Sequence, residues 1–512
     1  MGHAFRGALV RAIAAIVLFR VVSPAGRAAQ AAPGDPAELA DLRELALSDV
    51  VTVAVRQSPD LARARIDVTA ARAQLTRAEG SEDTHLGAQA QVQLYRAGAT
   101  DPNTNFEIDT ANVSVTRALP TGGTLGVSLN GERLSQPGFT TKPDSTMPVP
   151  TLFNLYSTGL GLKLTQPLLR GAGSEAFEAP IHQAERLRDA AALTSEARAR
   201  DLLVSLSQAY WQVAFAWRQL EVRRISLDLA RQQLAYTEGA IRAEKVPRSE
   251  LLAVQQAIAT RQQDVIAGQQ DLYERSLALR QLAGLEIGPD AIALKTEALP
   301  ARITPIDPQI GPVVREAFEH SAELAAAVAT RRAAEIAAAA ADNAARSRLD
   351  LEITGGPTGV DDTASHALSS AFHHPSFSVI AGLTGDHAIE QRTERGGQAA
   401  ARAAVMSARI AERDAQARLA VRVTRAVQRT RAAIASVALG DQAIDLAEQN
   451  VVAEQKRFEL GRSTNFDVLR RQDELEQARL RKASAVADYL AARADLDGLS
   501  GAILARYHIV MP

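Results

Sequence analysis

The sequence predicts an α+β membrane protein built by internal duplication, in which long coiled-coil helical hairpins join short strands that pool into a transmembrane β-barrel. Three observations carry this. Residues 181–246 and 396–460 are long stretches without proline and almost without turn residues. Laid over each other at an offset of 217 positions (227 onto 444), Leu227 falls on Ile444, Ala230 on Ala447, Leu234 on Val451, Glu250 on Asp467 and Leu252 on Leu469. Ahead of each stretch lie runs that alternate apolar with polar residues. At ~1.5 Å per residue, a helix of roughly 66 residues reaches about 100 Å, where the usual helix has about 12 residues. A duplicated rod of that length spans a distance.

Composition narrows the class. A net charge of -2 offers no broad basic surface to nucleic acid. Aromatic residues are only 4%, low for a large globular core, while alanine is plentiful and lets long helices approach closely. With no cysteine, disulfides, thiolate metal sites, thiol nucleophiles and a lipid-anchored N-terminal cysteine are excluded. The chain has no H-E-x-x-H, no P-loop, no G-x-S-x-G and no dinucleotide fingerprint after a strand, so neither an enzyme nor a cofactor is expected.

The elements follow in order. Arg6 and Arg11 precede a short apolar run from Ala12 to Phe19, and Ala29-Gln30-Ala31 offers a cleavage site, which makes residues 1–31 a signal peptide. No other segment has the ~20 apolar residues of a spanning helix, so strands must do any crossing. The first repeat is expected over 32–285. It opens with a helix from Leu47 to about Glu79, continues with strands over 86–166 and ends in a helical hairpin over 174–285. Pro120-Thr121-Gly122-Gly123 is a turn, and residues 134–152, with Pro137, Pro143, Pro148 and Pro150, are expected as an exposed loop. In the hairpin, Leu203, Leu206, Tyr210, Val213, Trp217 and Leu220 are spaced as a heptad seam, with Tyr210 and Trp217 as packing residues. A proline-rich linker over 286–309 leads to the second repeat, 310–512: a helix to about Ala345, strands over 348–384 and a hairpin over 396–504. Residues 355–375 are expected as a second loop. The histidines there and just beyond (His366, His373, His374, His387) fit polar loop composition better than a metal site.

Period-2 patterning gives each strand one apolar and one polar face. Strand by strand, a half-buried sheet on a soluble domain accounts for it. Supply favours a barrel with lipid outside and water inside, because the rest of the chain is long helix and offers no globular core to cover. Six short strands fall below the minimum of about eight, so several chains would pool them.

Three stretches make the chain resemble the outer-membrane efflux protein family, the TolC-like channels of Gram-negative bacteria. Residues Leu164-Thr165-Gln166-Pro167-Leu168-Leu169-Arg170-Gly171 resemble the family's strand-to-helix junction, and Ala209-Tyr210-Trp211-Gln212-Val213-Ala214 its first long helix. Arg457-Phe458-Glu459-Leu460-Gly461 followed by Asp467-Val468-Leu469 is similar to its periplasmic hairpin. The resemblance implies a homotrimer in which each chain gives four strands to one barrel, continuous with a helical periplasmic tunnel. It implies a passive exit duct of a tripartite efflux or type I secretion system, with a periplasmic adaptor and an inner-membrane transporter as partners. The alternative is a soluble periplasmic coiled-coil scaffold. Asp467 matches an aspartate of the family's closed periplasmic end; Arg470 stands where better-known members carry a second one. Adaptor docking is expected at the hairpin tips, Glu244, Glu250 and Gly461.

The chain departs from the family pattern in three places. The first half has four alternating runs where two are expected, so two would lie outside the membrane or form a longer external hairpin. The second junction, Gly385-Asp386-His387-Ala388-Ile389, lacks proline-leucine. At the first tip Glu244 stands where the second has Gly461, so the chain is expected to turn there without a left-handed residue, helped by Pro247.

Overall fold

The computed structural model describes residues 44–96, 106–141, 148–244, 247–285, 293–507 and 509. The expected signal peptide lies outside them, as does most of the linker's first part. In order come α1 (Leu47–Gln57), α2 (Pro59–Glu79), β1 (Thr84–Tyr95), β2 (Phe106–Ala118), β3 (Thr124–Thr141), β4 (Pro148–Pro167), α3 (Ser174–Arg242) and α4 (Ser249–Ala283). The second half runs α5 (Ile310–His320), α6 (Ala322–Ala344), β5 (Arg348–Asp361), α7 (Ala364–His373), β6 (Ser376–Asp386), α8 (Arg392–Glu459), α9 (Asn465–Leu499) and α10 (Ala502–Arg506). The two rods are 69 and 68 residues long, and their returning helices 35 each. The helix expected from Leu47 onward is broken at Ser58, because Pro59 disfavours helical geometry in the residue before it. Its counterpart breaks at Ser321, where no proline stands. There the serine hydroxyl accepts from Leu324 N (3.2 Å) and restarts the helix.

The chain divides into two compact units, and the division crosses the sequence repeat, since each unit draws on both halves. The first, described over 72–186 and 332–407, holds the sheet. Its six strands form one antiparallel meander in the order β1-β2-β3-β4-β5-β6. One row of paired residues runs across it: Leu86, Val115, Val127, Leu162, Gly355 and Val379. The next row outward is Ala88, Val113, Leu129 and Leu160. Leu86, Val127, Leu162 and Val379 are each about half exposed or more, so the described residues leave these rows uncovered. The opposite face is polar: the Asn112 and Asn130 side chains bond each other there, and Gly161 leaves room for the Ser128 hydroxyl.

Three expectations need correcting in this unit. The resemblance implied four strands, with two of the first-half runs set apart; instead β2 and β3 pair in unbroken register inside a single six-stranded sheet. The expected loop over 134–152 is mostly strand: β3 and β4 stay paired out to Thr141↔Pro148, while residues 142–147 are outside the description. Beyond Ser135, β3 has no pairing with β2, and before Tyr156, β4 has none with β5, so Pro137 and Pro150 lie in a two-stranded ribbon with one unpaired edge on each strand, where proline is tolerated. The expected loop over 355–375 is the end of β5 followed by α7, capped by Thr363, whose hydroxyl accepts from His366 N (3.4 Å).

The junction into α3 depends on glycine. Gly122 (φ 83°) lies so close to Gly171 (φ 80°) that a Cβ on it would come 2.1 Å from the Gly171 carbonyl oxygen. Gly171 N donates to Asn343 Oδ1 (2.7 Å) and Gly173 N to Thr121 O (3.0 Å), so the turn is tied from two sides. At the second junction, which lacks the proline, Gln391 takes a left-handed conformation (φ 48°) just before α8.

The second unit, described over 44–71, 187–331 and 408–509, is helical. Its main core joins Leu203, Leu206, Tyr210, Val213 and Leu220 of α3 to Val50, Val51 and Ala54 of α1 and Leu272 and Leu279 of α4. The heptad residues on α3 therefore do face a seam, with Trp217 at its edge. The aromatic tips are satisfied: Tyr210 Oη donates to Leu45 O (2.7 Å) and accepts from Glu297 N (3.0 Å), and Trp217 Nε1 donates to Leu294 O (2.8 Å). Among the described residues no helix is long and apolar enough to cross a membrane.

Candidate functional site: the tips of the helical hairpins

Both long helices reverse direction at a left-handed residue. At the α8 end Gly461 (φ 70°) donates to Phe458 O (2.9 Å) and Arg462 N to Arg457 O (2.9 Å), a Schellman motif that satisfies the last carbonyls. At the α3 end Glu244 adopts the same region (φ 58°), with its N–H on Ile241 O (3.0 Å). The expectation that glutamate turns some other way is thus wrong: the tip geometry is kept, and the side chain tolerates a conformation that costs roughly 1–2 kcal/mol. Closing the helix carbonyls dominates over local preference there.

After Gly461 the chain enters α9 through a capping box. Asp467 N donates to Thr464 Oγ1 (3.3 Å), and the Asp467 carboxylate accepts from the Thr464 hydroxyl (2.7 Å) and, at 3.4 Å, its backbone N–H. These bonds, the hydroxyl first, with help from Ser463 and the nearby charge of Arg470, hold the Asp467 carboxyl below its ordinary range. Arg470 lies on Glu474 (3.5 Å), as does Arg471 (2.7 Å), so within one chain neither arginine closes onto Asp467.

Glu250, the counterpart of Asp467 in the repeat, does something different. Its Oε2 accepts from Asn465 N (3.2 Å), so an acid of the first hairpin caps the returning helix of the second. Asn465 is itself fully buried, and its Oδ1 accepts from Gln233 Nε2 (2.6 Å) and Thr237 Oγ1 (3.1 Å) of α3. Deeper along the seam, Arg261 of α4 is 5% exposed. It donates to Ser226 O (3.0 Å), Gln472 Oε1 (3.4 Å) and Asp473 Oδ1 (2.6 Å). The two hairpins are joined near their tips by a ladder of polar contacts, with Tyr236 packed on Phe458 at 5.6 Å between ring centres. Leu252, Leu460 and Phe466 stand exposed around it.

Of the residues read from sequence, Glu250 and Asp467 both serve the start of α9, Gly461 forms the turn before it, and Glu244 turns the other tip. The linking residues Asn465, Gln233, Thr237, Arg261 and Asp473 were missed. Their one signal was polarity at seam positions, Gln233 and Thr237 being a turn apart on α3. Away from the tips, Asp361, Asp362 and His366 lie close enough for a cation to bridge, at the end of β5 and the start of α7.

The described residues thus combine apolar rows left uncovered on a sheet with paired helices that reverse at polar-linked tips. Residues 109–285 match the model of the outer membrane efflux protein family, the family that the sequence motifs resemble. The fold is similar over 89% of this chain to the outer membrane protein VceC from Vibrio cholerae, covering 96% of that chain at 16% identity and a TM-score of 0.64. It is similar over the same share to the Campylobacter jejuni CmeC outer membrane channel (85% of that chain, 11% identity, TM-score 0.64). It also resembles the open state of the Neisseria gonorrhoeae MtrE outer membrane channel (88% of that chain, 14% identity, TM-score 0.60). No curated protein sequence matches.

Proposed function

We propose that this chain is the passive exit duct of a tripartite efflux or type I secretion system. It would act as a homotrimer in the outer membrane of a Gram-negative bacterium, with its helical hairpins in the periplasm. The observation that carries this is the apolar row that the described residues leave uncovered across six strands. Soluble monomers rarely expose a contiguous apolar patch beyond a few hundred Å². A soluble periplasmic scaffold would leave this face in water; lipid covers it. One six-stranded sheet falls short of the roughly eight strands a closed barrel needs, and three copies remove the shortfall.

The two repeats would each supply a helix, strands and a hairpin to the assembly. An energised inner-membrane transporter would drive transport, since no nucleotide motif is present. The tips carrying Glu244, Glu250 and Gly461, with Leu252, Leu460 and Phe466 exposed beside them, suit a helical adaptor laid into the grooves between helices. Three copies of Asp467 and Arg470 near the axis would form charged rings at the periplasmic entrance.

The test is conductance in planar bilayers together with the oligomeric state in detergent. A heat-resistant trimer that conducts supports the duct; a monomer that stays in solution without detergent overturns it. Asp467→Ala is expected to raise the leak conductance of the closed channel. Thr464→Ala frays the same helix end while keeping the charge, and an equal rise there would assign the effect to the cap rather than to a charged ring.

A further inference from the structure

The helix α7 lies at a particular level of the sheet. The β4 and β6 strands lead toward α3 and α8, so the opposite end of the sheet, where β5 passes through α7 into β6, is the outer end. Gly359 of β5 pairs with Thr158, which alternation places on the same face of β4 as Leu160 and Leu162, the apolar face. On Gly359 the helix rests backbone to backbone: a Cβ there would come 2.2 Å from Ala367 O and 2.3 Å from Ala371 N. Ala367 and Ala371 are buried beneath it.

The remaining surface of α7 is two-sided. Leu368 and Phe372, one turn apart, are 42% and 60% exposed. By the helical repeat they flank the buried alanines, while Ser365, His366, Ser369 and His373 fall on the far arc. The sheet beneath changes character at the same level. Inward of Gly359 the paired rows are apolar; one row outward, β1 still carries Val92, but on β2 to β5 Asp109 pairs with Arg133, which pairs with Tyr156, which pairs with Asp361. Asp109 and Arg133 form an ion pair at 3.0 Å. The helix thus sits where the apolar band gives way to charge, with an aromatic residue in the first charged row, as at a membrane interface.

We propose that α7 is an interfacial helix whose Leu368 and Phe372 lie among the outer-leaflet acyl chains, so that it fixes the upper edge of the lipid belt around the barrel. This rests on the outer-membrane reading of the sheet. Its partner is lipid hydrocarbon, continuous with that covering Val379 and Phe377, both exposed on β6.

Because the chain has no cysteine, single nitroxide labels can be placed on Leu368→Cys, Phe372→Cys, Ser369→Cys and Val379→Cys in the full-length protein in lipid bilayers. Power saturation compares collisions with oxygen, which concentrates in lipid, against a water-soluble nickel chelate. The oxygen-to-nickel ratio at 368 and 372 is expected to match that at 379 and to exceed that at 369 several-fold. A lipid-like ratio at 379 with water-like ratios at 368 and 372 overturns the interfacial helix while leaving the barrel intact. A water-like ratio at 379 overturns the outer-membrane reading, and the helix proposal with it.

Discussion

Removing Asp473 should harm the hairpin tips more than removing Arg261, although the two form one ion pair. Arg261 is the buried member, with its side chain 6% exposed, whereas that of Asp473 is 57% exposed. An Asp473→Ala chain keeps a guanidinium in the seam with only Ser226 O and Gln472 Oε1 as acceptors. Breaking a fully buried pair from one side costs about 3–5 kcal/mol, and the acceptors that remain reduce this to about 2–3 kcal/mol. Arg261→Met removes the charge, keeps most of the stem volume and leaves Asp473 in water, so its cost should stay near or below about 1 kcal/mol. The double variant should resemble Arg261→Met alone. Hydrogen exchange of the α9 amides at 468–476, measured on the detergent-solubilised protein, reads the difference. At about 1.4 kcal/mol per tenfold, Asp473→Ala should lower protection roughly 30- to 140-fold and Arg261→Met less than about 5-fold. Equal losses in the two single variants would show that the buried, unpaired charge is not what the aspartate prevents.

Three further outcomes follow from the same geometry. Glu244→Gly should stabilise the first tip by about 0.5–1 kcal/mol by relieving the left-handed glutamate, and Gly461→Ala should weaken the second by about 1 kcal/mol; exchange at the flanking helix ends measures both. Asn465→Ala strands the Gln233 amide and weakens the hold on Thr237, at a cost of about 1–3 kcal/mol, seen as loss of protection at the start of α9. Asp495 has its carboxyl raised by burial, against the pull of Arg429 and the hydrogen bond from Gln208 (2.6 Å). The folded state therefore holds this proton to a higher pH than the unfolded chain does, so the ionised group destabilises at neutral pH and the penalty fades as pH falls through the raised value. A helical melting curve for Asp495→Asn should lie above the parent at pH 7, and the gap should close toward pH 4.

Much of this was legible in the linear pattern. The two rods, their returning helices, the heptad seam through Leu203 and Leu220 and the alternating strands are local periodicities, and periodicity survives in one dimension. The Gly461 turn was legible from glycine's ease at a left-handed helix end, and the junction ending at Gly171 from the family resemblance. Proline misled where it reads as loop, at 134–152, because whether a strand tolerates it depends on which of its edges is unpaired, and that is a property of the sheet.

The amino-acid order alone determined that this is a duplicated helical rod joined to two-faced strands, since helix length, heptad spacing and period-2 alternation are written within each segment. Only the tertiary structure decided that six strands form one sheet with α7 seated on Gly359, that Glu250 caps α9 and that Arg261 reaches Asp473. Those contacts join residues as far as 215 positions apart (250 to 465), and distance in space between such residues is set by packing rather than by any local preference of the chain.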